Sequence, residues 1–145
     1  MLIVTALIGM LAAISFPSIS SGLDSVRIAA SSDDVATFLN SAVNRAERRQ
    51  VAVEVVIAPK ENRLAMTSTE AGFRRALQLP DGILLEAVLP PVENEEANEP
   101  RRLILMPGAT VPGIGIELGN RHGAHRVIRL DPMTGFPRVE SVVSK

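Results

Sequence analysis

The chain has 145 residues, a length that suits one ordinary domain and is short for two. Hydrophobic residues make up 46% of it, yet its only aromatics are four Phe, so the core is expected to be aliphatic. A formal net charge of -1 excludes global steering toward nucleic acid or acidic lipid, and polyanion binding would need a local basic patch. The absence of cysteine excludes disulfides, thiolate metal sites and Cys nucleophiles, and leaves the compartment to be argued from the N-terminus.

No charged residue occurs from Met1 to Leu23; the first is Asp24. Met1 to Phe16 reads MLIVTALIGMLAAISF, interrupted only by Thr5 and Ser15. As a helix, the uncharged stretch would reach roughly 34 Å, comparable to a bilayer core, which takes about 20 apolar residues. It is apolar all round rather than on one face, the pattern of a membrane span or a fully buried helix. A secretory signal peptide would carry a basic segment before the apolar run, and none is present. Pro17 directly follows the run, where a soluble core helix would end and a membrane helix tolerates a kink.

The run MLIVTALIGMLAAISFPSI resembles the N-terminal helix of type IV pilins and pseudopilins. Gly9 matches the mid-run glycine of that family, Pro17 its proline, and Ala12-Ala13 the small pair before it. Met1 falls where the residue after the family's Glu stands. The leader, the cleavage Gly, the methylated first residue and the Glu are therefore expected upstream, as an in-frame Gly-Phe-x-x-x-Glu. The resemblance implies that residues 1–23 form a transmembrane and assembly helix through Leu2, Ile3, Val4, Leu7, Ile8, Gly9, Leu11, Ile14, Phe16 and Pro17.

Beyond this segment, residues 18–25 (SISSGLDS) lower helix propensity without forbidding a helix. Val26, Ala29, Ala30, Val35, Phe38 or Leu39, Ala42, Val43 and Ala46 then recur at helical spacing, which predicts an amphipathic continuation over residues 24–50. Ser32, Asp33 and Asp34 either cap a new helix or lie along a continuous one. Arg45, Arg48 and Arg49 favour a helix C-terminus. They read as a solvated helix end in preference to a nucleic-acid patch.

From residue 51 the period becomes that of strands, and residues 51–145 read as a β-rich domain. VAVEVVIA (51–58) is bounded by Pro59 and the turn residues Lys60, Glu61 and Asn62, with a return strand over 63–67. Further strands are expected at 73–79, 83–89, 101–106, 114–118, 125–130 and 137–141. The fold class is α+β, pilin-like: a long N-terminal helix, transmembrane in its first half, packed on an antiparallel sheet domain. The order of elements resembles the H-type pseudopilin and FimT-like family, with the Asp131-Pro132-Met133-Thr134-Gly135 turn as the clearest echo. Gly135 is expected to take positive φ there, and Pro132 pre-sets its own.

The acidic insert PPVENEEANEP (90–100), with Glu93, Glu95, Glu96 and Glu99, is either a solvated loop or a calcium site, and it lacks the Asp-x-Asp-x-Asp-Gly spacing. His122 and His125, with Asp131, can be drawn as a metal or catalytic group, but loop and strand-start positions account for them more simply. The run PGATVPGIG (107–115) lacks the Gly-Lys-Ser/Thr ending of a phosphate loop. The chain is therefore read as non-enzymatic, with no catalytic residue, metal or cofactor expected.

The resemblance implies a minor pseudopilin, a structural subunit of the periplasmic pseudopilus of a type II secretion system. Its implied partners are other pseudopilins or pilins through the N-terminal helix, the bacterial inner membrane, and a prepilin peptidase if the leader lies upstream. It implies a single-pass protein with the C-terminal domain in the periplasm. The alternative is a FimT-like minor pilin of a type IV pilus, acting in assembly or DNA uptake. Because GFPRVESVVSK (135–145) is not Arg-rich, no nucleic acid is expected.

Overall fold

The structure, a computed structural model, describes residues 1–91 and 99–142, without the side chains of residues 14–21. The side chains of Ile14, Phe16 and Pro17, and the acidic residues Glu93, Glu95 and Glu96, lie outside the described residues. The chain is α+β: among the described residues, one helix, α1 (Leu2–Arg49), is followed by eight strands in two antiparallel sheets. The strands are β1 (Val53–Ala58), β2 (Arg63–Ser68), β3 (Arg74–Gln78), β4 (Ile83–Leu89), β5 (Arg101–Leu105), β6 (Gly115–Asn120), β7 (His125–Leu130) and β8 (Pro137–Val142).

At 48 residues, α1 extends roughly 72 Å. It continues through residues 18–25 and past Ser32, which settles the choice between a new start and a continuous helix. Ser32 is fully buried, and its hydroxyl donates to the carbonyl of Ile28 at 2.7 Å, so it bonds back within the helix instead of capping a new one. The helix ends at Gln50, whose φ of 53° is left-handed, and the chain reaches β1 only after Val51 and Ala52.

The buried stripe of α1 differs at its start from the expected one. It runs through Ile28, Ser32, Val35, Leu39, Ala42 and Ala46, alternating steps of four and three residues. Val26 is exposed, whereas Phe38 and Leu39 are both buried. Ile28 holds the place expected of Val26 because the register of the stripe is set by Val35 and Leu39 downstream.

The first sheet has the order β3-β2-β1-β5 and the second β4-β6-β7-β8. In β1, Val53, Val55 and Ile57 point inward and are fully buried, while Glu54 and Val56 face out. In β6, Ile116 and Leu118 point inward and Glu117 lies on the outer face. Helix α1 covers β6, β7 and β8 and also touches β1, so both sheets and the helix share one core, aliphatic except for Phe38.

Two turns hold the sheets in place. Asn62, at φ 55°, closes the β1–β2 hairpin and bonds across to β4. The Asp131–Phe136 turn joins β7 to β8 with Gly135 at φ 73°, as its sequence predicts. A Cβ on Gly135 would lie in van der Waals contact with Val43 of α1 and with Val111, so the turn is packed against the helix.

Candidate functional site

Among the described residues, exposed large apolar side chains cluster at the start of α1. Leu2, Ile3, Val4, Leu7, Ile8, Met10 and Leu11 are all exposed, from 89% for Leu2 to 55% for Leu7. The domain gives this segment no cover: among the described side chains, the first buried helix residue is Ile28. Contiguous exposed apolar surface of this kind marks an interaction surface rather than a free solvent face.

Of the expected assembly residues, the structure places Leu2, Ile3, Val4, Leu7, Ile8, Gly9 and Leu11 on this exposed rod. Gly9 has no atom near the position a Cβ would take, and Thr5 and Ala13 lie one turn to either side on the same stripe. Thr5 donates its hydroxyl to the carbonyl of Met1 at 3.1 Å, leaving this stripe with its polar side chain satisfied inside the helix. Among the described residues, no helix is long and apolar enough to cross a membrane. The described side chains from Leu2 to Ala13 account for only about 18 Å of helix.

Where α1 enters the domain, charges appear. Asp24 pairs with Arg27 at 3.9 Å, and His122 Nε2 lies 2.5 Å from Asp24 Oδ2. His122 sits at the tip of the β6–β7 hairpin, where Asn120 Oδ1 accepts the N–H groups of His122 and Ala124, both at 3.0 Å. The hairpin tip thus braces the helix where its unpacked part begins.

At the other end of α1, Arg45 is not part of a solvated helix end. Its guanidinium donates to the carboxylate of Glu70 and lies 3.2 Å over the ring of Phe73. Arg49 reaches the same carboxylate at 3.9 Å, whereas Arg48 is exposed. The Arg cluster therefore divides into one clamp on the β2–β3 turn and a solvated remainder.

His122, His125 and Asp131 do not form one group. His122 faces α1, His125 opens β7 on the opposite face of the sheet, and Asp131 lies beyond the far end of β7, roughly 20 Å along the strand. His125 instead meets two carboxylates: its Nδ1 is 2.8 Å from Glu86 Oε2 and 3.8 Å from Glu117 Oε1. Glu86 belongs to the irregularity in β4 between Leu85 and Ala87, which adds a residue to the outer face. Its carboxylate lies across Gly119, where any Cβ would collide with it. The sequence reading missed this convergence, since no local spacing links the three residues.

No protein-family model matches the chain, and no curated protein or solved structure matches it.

The outer face of the first sheet carries another charged group. Arg63, Arg74 and Arg102 rim a shallow depression floored by Ala65, Ala76 and Thr67, with Glu54 as its one acid. Arg102 lies 3.6 Å from Glu54, and Arg63 lies 2.5 Å from Glu61 in the adjoining turn. On the second sheet, Arg129 pairs with Glu140 at 3.2 Å and Arg138 with Asp131 at 3.6 Å, so the cleft they line is internally neutralised.

Proposed function

We propose that the chain is a minor pseudopilin, a structural subunit of the periplasmic pseudopilus of a type II secretion system. One observation carries this reading. A single continuous helix packs its second half into a β domain, while its first half is uncharged and its described side chains from Leu2 to Ala13, apolar but for Thr5, are exposed. The mechanism is assembly. The rod of residues 1–23 resides in the bacterial inner membrane with the β domain in the periplasm, and later packs against the same helices of neighbouring subunits. Lipid and a helix bundle are similarly apolar, so the exchange depends on close packing, which Gly9, Ala6 and Ala13 permit. The chain's role needs no reaction of its own.

Because the chain has no cysteine, a single Leu7→Cys substitution introduces one reporter thiol. In bacterial envelopes the protein is expected to stay with the membrane after alkaline extraction and to form disulfide-linked pairs with itself or with pilin-like partners carrying a matching thiol. Recovery in the aqueous fraction without such pairs overturns the reading.

One observation favours a FimT-like minor pilin as the second reading: the Arg63, Arg74 and Arg102 rim is a local basic patch despite the net charge of -1. DNA retardation that weakens with salt and is lost in Arg74→Ala/Arg102→Ala supports that alternative. No retardation at low salt removes it.

A further inference from the structure

We propose that Glu86, Glu117 and His125 form a binding site for one divalent metal ion of the zinc type on the outer face of the second sheet. Each residue offers one donor atom, and the three donors all lie within 4.8 Å of one another. Around zinc, with donors at about 2.0–2.1 Å, tetrahedral ligands stand about 3.3 Å apart. The 2.8 Å and 3.8 Å separations from His125 Nδ1 bracket that value, so small side-chain rotations bring all three donors onto one ion.

Three independent features support the assignment. The donors come from three adjacent strands, β4, β6 and β7, whose backbone ladders fix their spacing. Glu86 reaches the group because β4 carries its irregularity there and because Gly119 leaves the space its carboxylate fills. Two carboxylates converge on one imidazole and, among the described residues, no lysine or arginine pairs with either. A dication supplies the missing positive charge.

The donor set also selects the class of metal. Imidazole with carboxylate suits zinc and its neighbours. Calcium takes about six to eight oxygen ligands, more than two carboxylates supply, and it gains little from an imidazole. The side chains are each 29–34% exposed, so one side of the group stays open for water as a fourth ligand. Metal binding at His125 Nδ1 needs that nitrogen without a proton, so any proton there goes to Nε2 or to solvent. The bound ion would cross-link three strands of the sheet.

The test is calorimetric titration of the full chain in detergent micelles with Zn²⁺ alone, paired with Co²⁺ as a spectroscopic probe of tetrahedral binding. One equivalent is expected to bind. His125→Ala and Glu117→Gln should each weaken binding at least about tenfold. Gly119→Ala, which keeps all three donors but pushes the Glu86 carboxylate aside, should weaken it similarly. His122→Ala, at the hairpin tip, should leave the affinity unchanged. Should His125→Ala fail to fold, Gly119→Ala and Glu117→Gln decide the matter. Wild-type affinity no higher than that of these variants, or binding lost with His122→Ala alone, overturns the proposal. Neither result depends on whether the chain assembles into a filament.

Discussion

The side-chain oxygen of Asn62 accepts the N–H of Leu85 at 2.8 Å, while its amide nitrogen donates to the carbonyl of Ile83 at 2.7 Å. One turn residue of the first sheet thereby fixes the opening strand of the second. Asn62 also holds φ 55°, a conformation that asparagine tolerates better than most residues.

Asn62→Ala therefore removes two hydrogen bonds and adds backbone strain. At about 1 kcal/mol for each bond and a further 1 kcal/mol for the left-handed conformation, the loss is about 3 kcal/mol. Asn62→Gly loses the bonds but keeps the conformation, and should cost about 1 kcal/mol less before the added flexibility of the unfolded chain is counted. Chemical denaturation midpoints of the two variants separate the contributions. Equal destabilisation of both would mean that the left-handed turn is not strained by a side chain.

Arg45 and Glu70 make a second long-range tie, from the end of the helix to the β2–β3 turn. Arg45→Ala should cost about 1–3 kcal/mol, combining a charged hydrogen bond with the stacked contact on Phe73. Arg45→Lys keeps the charge but not the planar stacking, and should recover only part of the loss. Amide hydrogen exchange should quicken in residues 69–73 of both variants before it changes in β1. Unaltered exchange in the turn would show that the clamp does not hold it.

Most of the fold was legible because local rules and tertiary demands agree along this chain. Val53, Val55 and Ile57 alternate with Glu54 and Val56, and the strand between Pro59 and the helix end follows from that pattern alone. All eight strands among the described residues lie where alternation and turn residues predicted them, with no end shifted by more than two residues. What stayed hidden depends on placement across the fold. Arg45 looked solvated because Glu70 and Phe73 come from a turn that only the sheet brings close. Glu86 and His125 are separated by 39 positions, and their meeting needs an irregular strand and a bare glycine on its neighbour. No periodicity encodes such a meeting. The buried stripe was misplaced at Val26 for a simpler reason: exposed apolar residues upstream blur where packing starts.

Asp131 gives the fold a predictable acid response. Its carboxyl is held below the usual value chiefly by the backbone N–H of Met133, with smaller help from Thr134 and the charge of Arg138, against an opposing effect of burial. A depressed folded value means that the ionised group stabilises the fold above the usual aspartate pKa of about 3.9, and that this contribution fades as pH falls through the depressed value. Asp131→Asn keeps an oxygen for the Met133 N–H, at 2.9 Å in the native turn, and removes only the charge. The variant should melt below the wild type at neutral pH, with the gap closing as pH drops below about 4. A gap that stays constant into acid would exclude the charge as its source.

The two halves of α1 should respond oppositely to the same chemistry. Leu39 is fully buried in the core, so Leu39→Ala should destabilise the domain by about 2–5 kcal/mol. Leu7 is 55% exposed and touches no part of the domain core, so Leu7→Lys should shift the domain's unfolding by no more than about 0.5 kcal/mol. A lysine in the middle of an apolar rod is costly in lipid, by about 2.5–3.5 kcal/mol at a span's centre. Leu7→Lys should therefore release the protein from vesicles while leaving the β domain folded, and Leu39→Ala should do the reverse. Vesicle flotation and thermal melting on the same two variants decide it. If Leu7→Lys floats like the wild type, the Leu7 position does not hold the protein on lipid.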